Sequence, residues 1–275
     1  MKSIERRVAG FSTPRTATGR SALVQPLPHY ISVDALHVTF RCGEENAANF
    51  LPPGLEPVDG GLGWVMIGEL TKVSASDPDQ VWRNPERCNY NECVLGFYAR
   101  YGQKVGRYSA LVWVDRDWSL VMGQIFGWGK RLANVSRTRV HEMNPAFGGA
   151  LPPKVGGTVE RNGVRIISAA VDLRAGAEEL DRLPDFGSTT YLYRYLGSPG
   201  PDIPEVNLLM ELKLGDVRMS KVLKGKGELS FQGSEDEELD LLNGAEILDG
   251  YLYKRGWTTD AKATLVRDFS ADSVA

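Results

Sequence analysis

Hydrophobic and polar residues alternate with a period of two along most of this chain, which predicts β-strands. In the first clear case, residues 33–42, the side chains of Leu36, Val38 and Phe40 share one face, and we expect that face to be buried. Runs rich in β-branched and aromatic residues predict further strands at 62–73, 91–101, 108–115, 132–141, 157–162, 164–173, 189–196, 207–223, 228–231 and 247–257. The pattern is that of a protein built mainly from β-sheet.

Short helical segments interrupt these strands. Residues 44–50 predict a helix because two prolines and a glycine follow them, and residues 118–126 predict another with Asp117 as its N-cap. Two more short helices are expected, one at 177–183 and one that begins with the acidic run 235–240. Many strands with few short helices predict an α+β fold, mainly antiparallel, in which a large sheet closes into a barrel or cone around a small-ligand cavity.

Composition and charge are those of a globular protein with one large domain. The 275 residues are 42% hydrophobic and 24% charged, with a formal net charge of −3, so neither nucleic acid nor a membrane is an expected partner. We assign residues 1–25 to a polar N-terminal arm, 26–267 to a single domain and 268–275 to a tail. The charged N-terminus lacks the apolar segment of a secretory signal, so a cytoplasmic location is expected.

The sequence contains no pattern typical of a metal or nucleotide site. His29, His37 and His141 are scattered, and no spacing of cysteines, histidines and carboxylates is that of a metal centre, so we expect no metal and no cofactor. Glycines do precede Lys130, as in a phosphate-binding loop. However, Gly123 lies one residue too far from Lys130, and the residue after the lysine carries no hydroxyl for Mg²⁺.

Lys130 is the strongest candidate for a reactive side chain. It follows Phe126, Gly127 and Trp128 at a predicted junction between a helix and a strand, and Arg131 comes directly after it. An amine with apolar surroundings and a second cation alongside is costly to keep protonated, and the free amine can attack a carbonyl carbon. These residues predict a Schiff base at Lys130. The alternative is a strand-edge lysine whose ammonium group lies in water.

Three motifs, in this order, resemble the acetoacetate decarboxylase superfamily: LPPGLEP at 51–57, Tyr90-Asn91-Glu92, and GWGKRLA at 127–133. The resemblance implies a cone-shaped, mainly antiparallel β-fold that assembles as a homo-oligomer. It also implies that Lys130 is the Schiff-base lysine, with Glu92 as the active-site carboxylate. Arg131 stands in place of the second lysine, which activates the first in this family, so the resemblance implies the same role for Arg131.

The resemblance implies a Schiff-base-forming lyase that decarboxylates a β-keto acid through an iminium on Lys130. Gln124 stands where the decarboxylases carry a glutamate, and residues 32–34 stand where an arginine would hold the substrate carboxylate. The alternative is therefore an aldolase-dehydratase that acts on a 2-oxo acid such as pyruvate with an aldehyde. A further alternative is a non-catalytic barrel that binds a small ligand. The expected substrate-binding residues are Gln124, Trp128, Tyr251 and Tyr253.

Overall fold

The computed structural model describes residues 8–141, 143–147, 152–174, 176–184, 189–260 and 262–270, and these residues form strands and short helices. The strands of the first half are His29–Arg41 (β1), Glu56–Pro57 (β2), Leu62–Ser74 (β3), Asn89–Tyr101 (β4), Lys104–Val114 (β5), Lys130–Leu132 (β6), Asn134–Arg137 (β7) and Lys154–Arg161 (β8). Those of the second half are Val164–Asp172 (β9), Glu178–Leu180 (β10), Thr189–Leu196 (β11), Val206–Leu212 (β12), Gly215–Met219 (β13), Val222–Phe231 (β14), Glu246–Thr259 (β15) and Ala263–Asp268 (β16). The α-helices are Glu44–Ala48 (α1), Gln80–Arg83 (α2) and Asp117–Phe126 (α3), and short 3-10 helices form at Pro85–Arg87, Pro145–Phe147 and Leu239–Leu242.

The described strands make one curved sheet. Its order is β16-β12-β11-β5-β4-β3-β1-β15-β14-β9-β8-β7, with β2 beside β4, β6 beside β5, β10 beside β14 and β13 beside β15. Most pairs are antiparallel, and β5 pairs in parallel with β6 and β11. Strand β7, at the end of this order, lies back against β3, β4 and β5. The sheet therefore wraps into a mainly antiparallel cone, which confirms the predicted fold class.

The middle strands of the cone are buried on both faces. Leu36, Val38 and Phe40 of β1 are fully buried, as predicted, in a core that they share with β8 and β9. On the opposite face of β1, Val33 and Ala35 belong to a second core, which α3 and β10 help to cover. A sheet that is covered on both sides needs apolar residues at successive positions. The candidate site lies on this second face.

Several local predictions were wrong because strand pairing overrides local preference. Residues 178–180 form a strand paired with β14 instead of part of a helix at 177–183. The predicted strand 207–223 is divided among β12, β13 and the first residues of β14, which pair with different neighbours. The predicted strand 132–141 is divided as well, and its described regular part is β6 and β7. In the acidic region, the helical turn is the 3-10 helix that starts at Leu239.

The described parts of the predicted arm and tail pack against the rest of the protein. Val24 is fully buried against Met122 and Phe126 of α3, so the segment before β1 helps to hold this helix. Phe269 is buried beside Leu55. Residues 1–7 of the arm and 271–275 of the tail lie outside the described residues.

Candidate functional site

Helix α3 and the turn after it bring Lys130 to the second face of the sheet. The helix ends at Gly127, whose φ of 97° is in the left-handed region that favours glycine. The chain then enters β6, where Lys130 pairs with Val112 of β5. A Cβ on Gly123 would lie 2.5 Å from Cγ of Lys130, so only glycine lets the lysine chain lie directly against the helix. Gly123 is therefore part of how the lysine is positioned.

The amine of Lys130 is buried and bonded to polar groups. Its Nζ donates to Oε2 of Glu92 at 2.7 Å and to Oγ of Ser119 at 3.0 Å. The lysine side chain is 4% exposed and that of Glu92 is 11% exposed. The rings of Tyr90 and Trp128 have centroids 5.5 Å and 5.8 Å from Nζ. The result is an amine with a carboxylate at hydrogen-bonding distance and aromatic walls, the arrangement that covalent amine chemistry uses.

Strand β4 supplies the carboxylate through its period-two alternation. Tyr90 and Glu92 lie on the same face, which is why the Tyr-x-Glu spacing brings both to the lysine. Burial, followed by the charges of Glu92 and Asp115, raises the pKa of Tyr90 well above its usual value. Tyr90 is therefore a neutral wall of the site at neutral pH.

A cavity of about 150 Å³ opens beside Glu92 and Trp128. Its other walls include the aromatic rings of Trp64, Tyr253 and Trp257. A cavity of this size fits a small acid or ketone. The remaining lining residues with polar or charged side chains are His37, Arg107, Ser109, Thr190 and Arg255.

His37 is neutral in this cavity. Burial is the main cause that lowers its pKa to about 3, and the positive charges of Arg107 and Arg255 contribute to this shift. Its Nδ1 lies 3.4 Å from the hydroxyl oxygen of Tyr253, whose own pKa burial raises. The Tyr253 hydroxyl therefore keeps its proton at neutral pH and can donate it as a hydrogen bond.

A second buried lysine lies near the first. Lys72 of β3 is fully buried, and its Nζ donates to the side-chain oxygen of Gln25 at 2.7 Å and lies 4.6 Å from the centre of the Trp118 ring. Burial is the main cause that lowers its pKa to about 8, and the charges of Arg87 and Lys130 add to the effect. The two ammonium groups therefore interact electrostatically through the interior.

The structure does not bring Arg131 together with the Lys130 amine. Its Nη1 donates to Oε2 of Glu237 at 2.8 Å and to the backbone oxygen of Asp236 at 3.0 Å. Successive side chains of a strand point to opposite faces, so the residue after Lys130 must face the other core. The predicted role of Arg131 therefore lacks the proximity that it needs. The cation that interacts electrostatically with the Lys130 ammonium group is instead Lys72, whose pKa the charge of Lys130 helps to lower.

The predicted substrate-binding residues have different surroundings. Trp128 and Tyr253 both line the cavity. Tyr251 is buried beside His37, with its ring centroid at 6.0 Å, but lines a neighbouring cavity, and its hydroxyl donates to Asp249 at 3.3 Å. Gln124 is exposed on α3, so the structure does not bring it to the cavity. Gln124 therefore gives no support to the aldolase-dehydratase alternative.

Sequence reasoning missed five residues of this region: Ser119, His37, Lys72, Arg107 and Arg255. A signal for Arg255 was present, because it alternates with Tyr251, Tyr253 and Trp257 on one face of β15. Lys72 likewise continues the face of β3 that carries buried Leu70. The approach of these strands to one cavity depends on pairing between distant segments, which the pattern alone does not supply.

The comparison with protein-family models decides the classification. Residues 12–268 match the family described as acetoacetate decarboxylase (ADC). The chain belongs to the acetoacetate decarboxylase family. The match spans nearly the whole chain and confirms the resemblance that the three motifs indicated.

Solved structures resemble this acetoacetate decarboxylase family member over most of its length. An acetoacetate decarboxylase-like enzyme from Sphingomonas wittichii RW1 is 28% identical, with a TM-score of 0.87, covering 94% of this chain and 100% of that chain. The enduracididine biosynthesis enzyme MppR, complexed with the condensation product of pyruvate and imidazole 4-carboxaldehyde, is 23% identical, with a TM-score of 0.82 and coverage of 94% and 97%. Acetoacetate decarboxylase from Legionella pneumophila is 15% identical, with a TM-score of 0.69 and coverage of 89% of each chain. At 23% and 15% identity, the last two structures show that the fold is similar and say nothing about the reaction.

For this family member, curated relatives, membrane-spanning helices and metal-binding clusters were also considered in turn. No curated protein sequence matched the chain. Among the described residues, no helix has both the length and the apolar character needed to cross a membrane. Within the same part of the chain, no group of three or more His, Cys, Asp or Glu side chains is arranged to hold a metal ion.

Proposed function

We propose that this protein is a Schiff-base-forming lyase that decarboxylates a small β-keto acid on Lys130. The observation that carries the proposal is the buried Lys130 amine, 2.7 Å from the Glu92 carboxylate at the wall of an aromatic cavity. Such an amine has a proton acceptor beside it and little water around it. Both conditions favour its attack on a ketone carbon.

The reaction balances with the groups of the site. Nζ of Lys130 adds to the ketone carbon, and loss of water converts the adduct into an iminium. The bond to the carboxylate then breaks, CO₂ leaves, and the bonding electrons enter the iminium to form an enamine. Protonation of the enamine carbon and hydrolysis of the iminium release the ketone and restore the lysine. Glu92 accepts the amine proton and returns a proton later, and Ser119 holds the amine.

The surroundings favour loss of CO₂ once the iminium has formed. A carboxylate that becomes CO₂ loses its charge, so apolar walls such as Trp64 and Trp128 stabilise the product more than the reactant. The negative charge of Glu92 acts in the same direction, because it disfavours a second carboxylate nearby. These walls are why decarboxylation is the first choice.

The second candidate is aldol condensation and dehydration of a 2-oxo acid with an aldehyde. The observation that favours it is the pair of cations, Arg107 and Arg255, in the same cavity, since this reaction keeps the carboxylate of its substrate. MppR, which resembles this chain in fold, was solved with a pyruvate-derived product. Both candidates share the Lys130 iminium. A homo-oligomeric state and a cytoplasmic location stay predictions from the sequence.

Borohydride trapping tests the shared step. The protein is incubated separately with acetoacetate and pyruvate, reduced with borohydride, digested and analysed by mass spectrometry. We expect a mass adduct on the peptide that carries Lys130, with the peptide of the enclosed Lys72 unmodified in the same digest. The variant Lys130→Met should lose the adduct and reduce turnover by roughly 10³-fold or more. Absence of any adduct on Lys130 would contradict both lyase candidates.

Product analysis then separates the candidates. CO₂ released from acetoacetate without an aldehyde supports decarboxylation. A condensation product that forms from pyruvate only when an aldehyde is present supports the aldolase-dehydratase. Calorimetric binding of a keto acid without adduct or turnover would instead favour the non-catalytic binding barrel.

A further inference from the structure

The imidazole of His37 lines the candidate cavity with one nitrogen that has no hydrogen-bond partner among the described residues. His37 lies on β1, is 4% exposed, and also lines the neighbouring cavity of about 370 Å³. Its Nδ1 is 3.4 Å from the hydroxyl oxygen of Tyr253, whereas its buried Nε2 is unpaired. An unpaired buried polar group costs about 1–3 kcal/mol. A ligand that pairs with Nε2 therefore recovers this cost.

The contact with Tyr253 decides which nitrogen of His37 carries the proton. The neutral ring has one N–H donor and one acceptor nitrogen. If the Tyr253 hydroxyl donates to Nδ1, both of these groups are paired and only the Nε2–H donor is left over. If Nδ1–H donated to the Tyr253 oxygen instead, the hydroxyl proton and Nε2 would both lack a partner. The first arrangement leaves fewer buried groups unpaired, so it places the proton on Nε2.

Aromatic rings hold the His37 imidazole in one orientation. The ring stacks on Trp64, with centroids 6.4 Å apart and planes at 7° to each other. Its centroid is also 6.0 Å from that of Tyr251 and 6.1 Å from that of Tyr253. A side chain that is already fixed by packing loses little conformational freedom when a ligand binds to it. The Nε2–H group is therefore a preorganised donor in the cavity wall.

We infer that His37 is a substrate-binding residue, whose Nε2–H donates a hydrogen bond to an oxygen of the keto acid that reacts at Lys130. Glu92 pairs with Gly68, and Gly68 pairs with Ala35, which lies two positions before His37 on β1. Strand spacing therefore separates the Cα atoms of Glu92 and His37 by about 12 Å along the sheet, and both side chains line one cavity. One small molecule can reach both. The oxygens of a keto acid are hydrogen-bond acceptors, as an N–H donor requires. This inference rests on the proposed Schiff-base function.

NMR spectra of histidine side chains labelled with nitrogen-15 test the inference directly, because the chain has only three histidines: His29, His37 and His141. The spectra are recorded at pH 7 on the Lys130→Met variant, which cannot form the Schiff base, so acetoacetate and pyruvate stay unreacted. We expect His37 to be the Nε2–H tautomer, and its Nε2–H proton signal to move downfield as either keto acid is added. His29 is the internal control, because it is buried outside the cavity lining, and its signals should stay in place. A proton on Nδ1 of His37, or an Nε2–H signal that neither keto acid moves, would overturn the inference.

Variants of His37 provide a second measurement. His37→Phe keeps an aromatic ring without a donor, and His37→Gln keeps an N–H donor. We expect half-maximal borohydride trapping of acetoacetate on Lys130 to need a roughly 3- to 30-fold higher concentration in His37→Phe, as loss of one hydrogen bond predicts, with part of the loss recovered in His37→Gln. Equal concentrations for wild type and His37→Phe would contradict the inference. The expected NMR response without any trapped adduct would support His37 as a keto-acid-binding residue and contradict only the Schiff base.

Discussion

Two buried lysines on the same face of the sheet have opposite surroundings. Lys130 donates to a carboxylate and a hydroxyl beside a cavity, whereas Lys72 donates to the neutral amide of Gln25 and lies over the Trp118 ring. In the first case the desolvation cost of a buried charge is offset by a countercharge, and in the second by dipoles and a ring quadrupole. Lys130 is therefore arranged for a reaction, whereas Lys72 supplies a buried positive charge.

The coverings of the two lysines also differ. The segment before β1 closes over Lys72: besides the contact from Gln25, Nη2 of Arg87 donates to the backbone oxygens of Ala22 and Leu23. Lys130 instead lies next to Glu92 and Trp128, which line the open cavity. The amine of Lys130 therefore lies against the wall of the candidate cavity, whereas Lys72 is covered by the segment before β1. This contrast predicts where a change of side chain affects turnover and where it affects stability.

Removal of the Lys130 countercharge should have the largest effect. Glu92→Gln keeps the shape of the side chain but removes the proton acceptor, so we expect turnover to fall by about 10²- to 10⁴-fold. Steady-state kinetics with the substrate identified by trapping measures the fall. Ser119→Ala is the matched variant, because it removes a neutral contact of the same amine, and should cost about tenfold or less. If Glu92→Gln stays within tenfold of wild type, Glu92 is not the proton acceptor.

The sequence predicted best those features of the site and fold that depend on residues close together in the chain. The segment around Lys130 and the Tyr90-x-Glu92 spacing were identified from the residues and their resemblance to a family, and the structure joins them at 2.7 Å. Strands such as β3, β4 and β15 were predicted nearly at their observed bounds because their alternation is long. These elements need little information from distant parts of the chain.

The missed features depend on which strands become neighbours. Arg107 and Arg255 meet at one cavity because β1, β3 and β4 lie between β5 and β15 in a curved sheet, and no local pattern specifies that curvature. The error on Arg131 was different. Alternation within a strand already predicts that it faces away from Lys130, but adjacency in sequence was taken as adjacency in space. Charged residues at buried positions of a strand, such as Lys72, would have been the better signal.

Replacement of Lys72 should stabilise the protein in a pH-dependent way. Its pKa is about 8 in the folded protein and 10.5 as the ordinary value, so below pH 8 it is charged in both states and its burial cost is constant. Between pH 8 and 10.5 the unfolded chain binds the proton and the folded protein does not, so the wild type gains stability as pH rises. Lys72→Met should therefore raise the free energy of unfolding at pH 7 by on the order of 1–3 kcal/mol, with a smaller gain at pH 9.5.

Urea unfolding of both proteins at the two pH values measures this difference, and Lys213→Met serves as a control because Lys213 is exposed. We expect the control to change stability little at either pH. A variant at Lys72 that is less stable at pH 7, or a difference that does not narrow by pH 9.5, would mean that Gln25 and Trp118 compensate the buried charge fully.

The smallest expected effect comes from removing one of the two cations, Lys72 or Arg131, that are candidates to influence the Lys130 amine. Lys72→Met removes a positive charge near the Lys130 amine and so favours the protonated amine, and we expect the borohydride adduct yield on Lys130 at pH 7 to fall by roughly two- to fivefold. The charge of Arg131 is matched by Glu237, which also binds Arg161 at 2.9 Å, so Arg131→Met should leave the yield unchanged. The measurement is adduct yield at pH 7 and a fixed ketone concentration. A lower yield in Arg131→Met but not in Lys72→Met would restore the role that the sequence suggested for Arg131, because the neighbour in sequence, and not the enclosed lysine, would then set the reactivity of the amine.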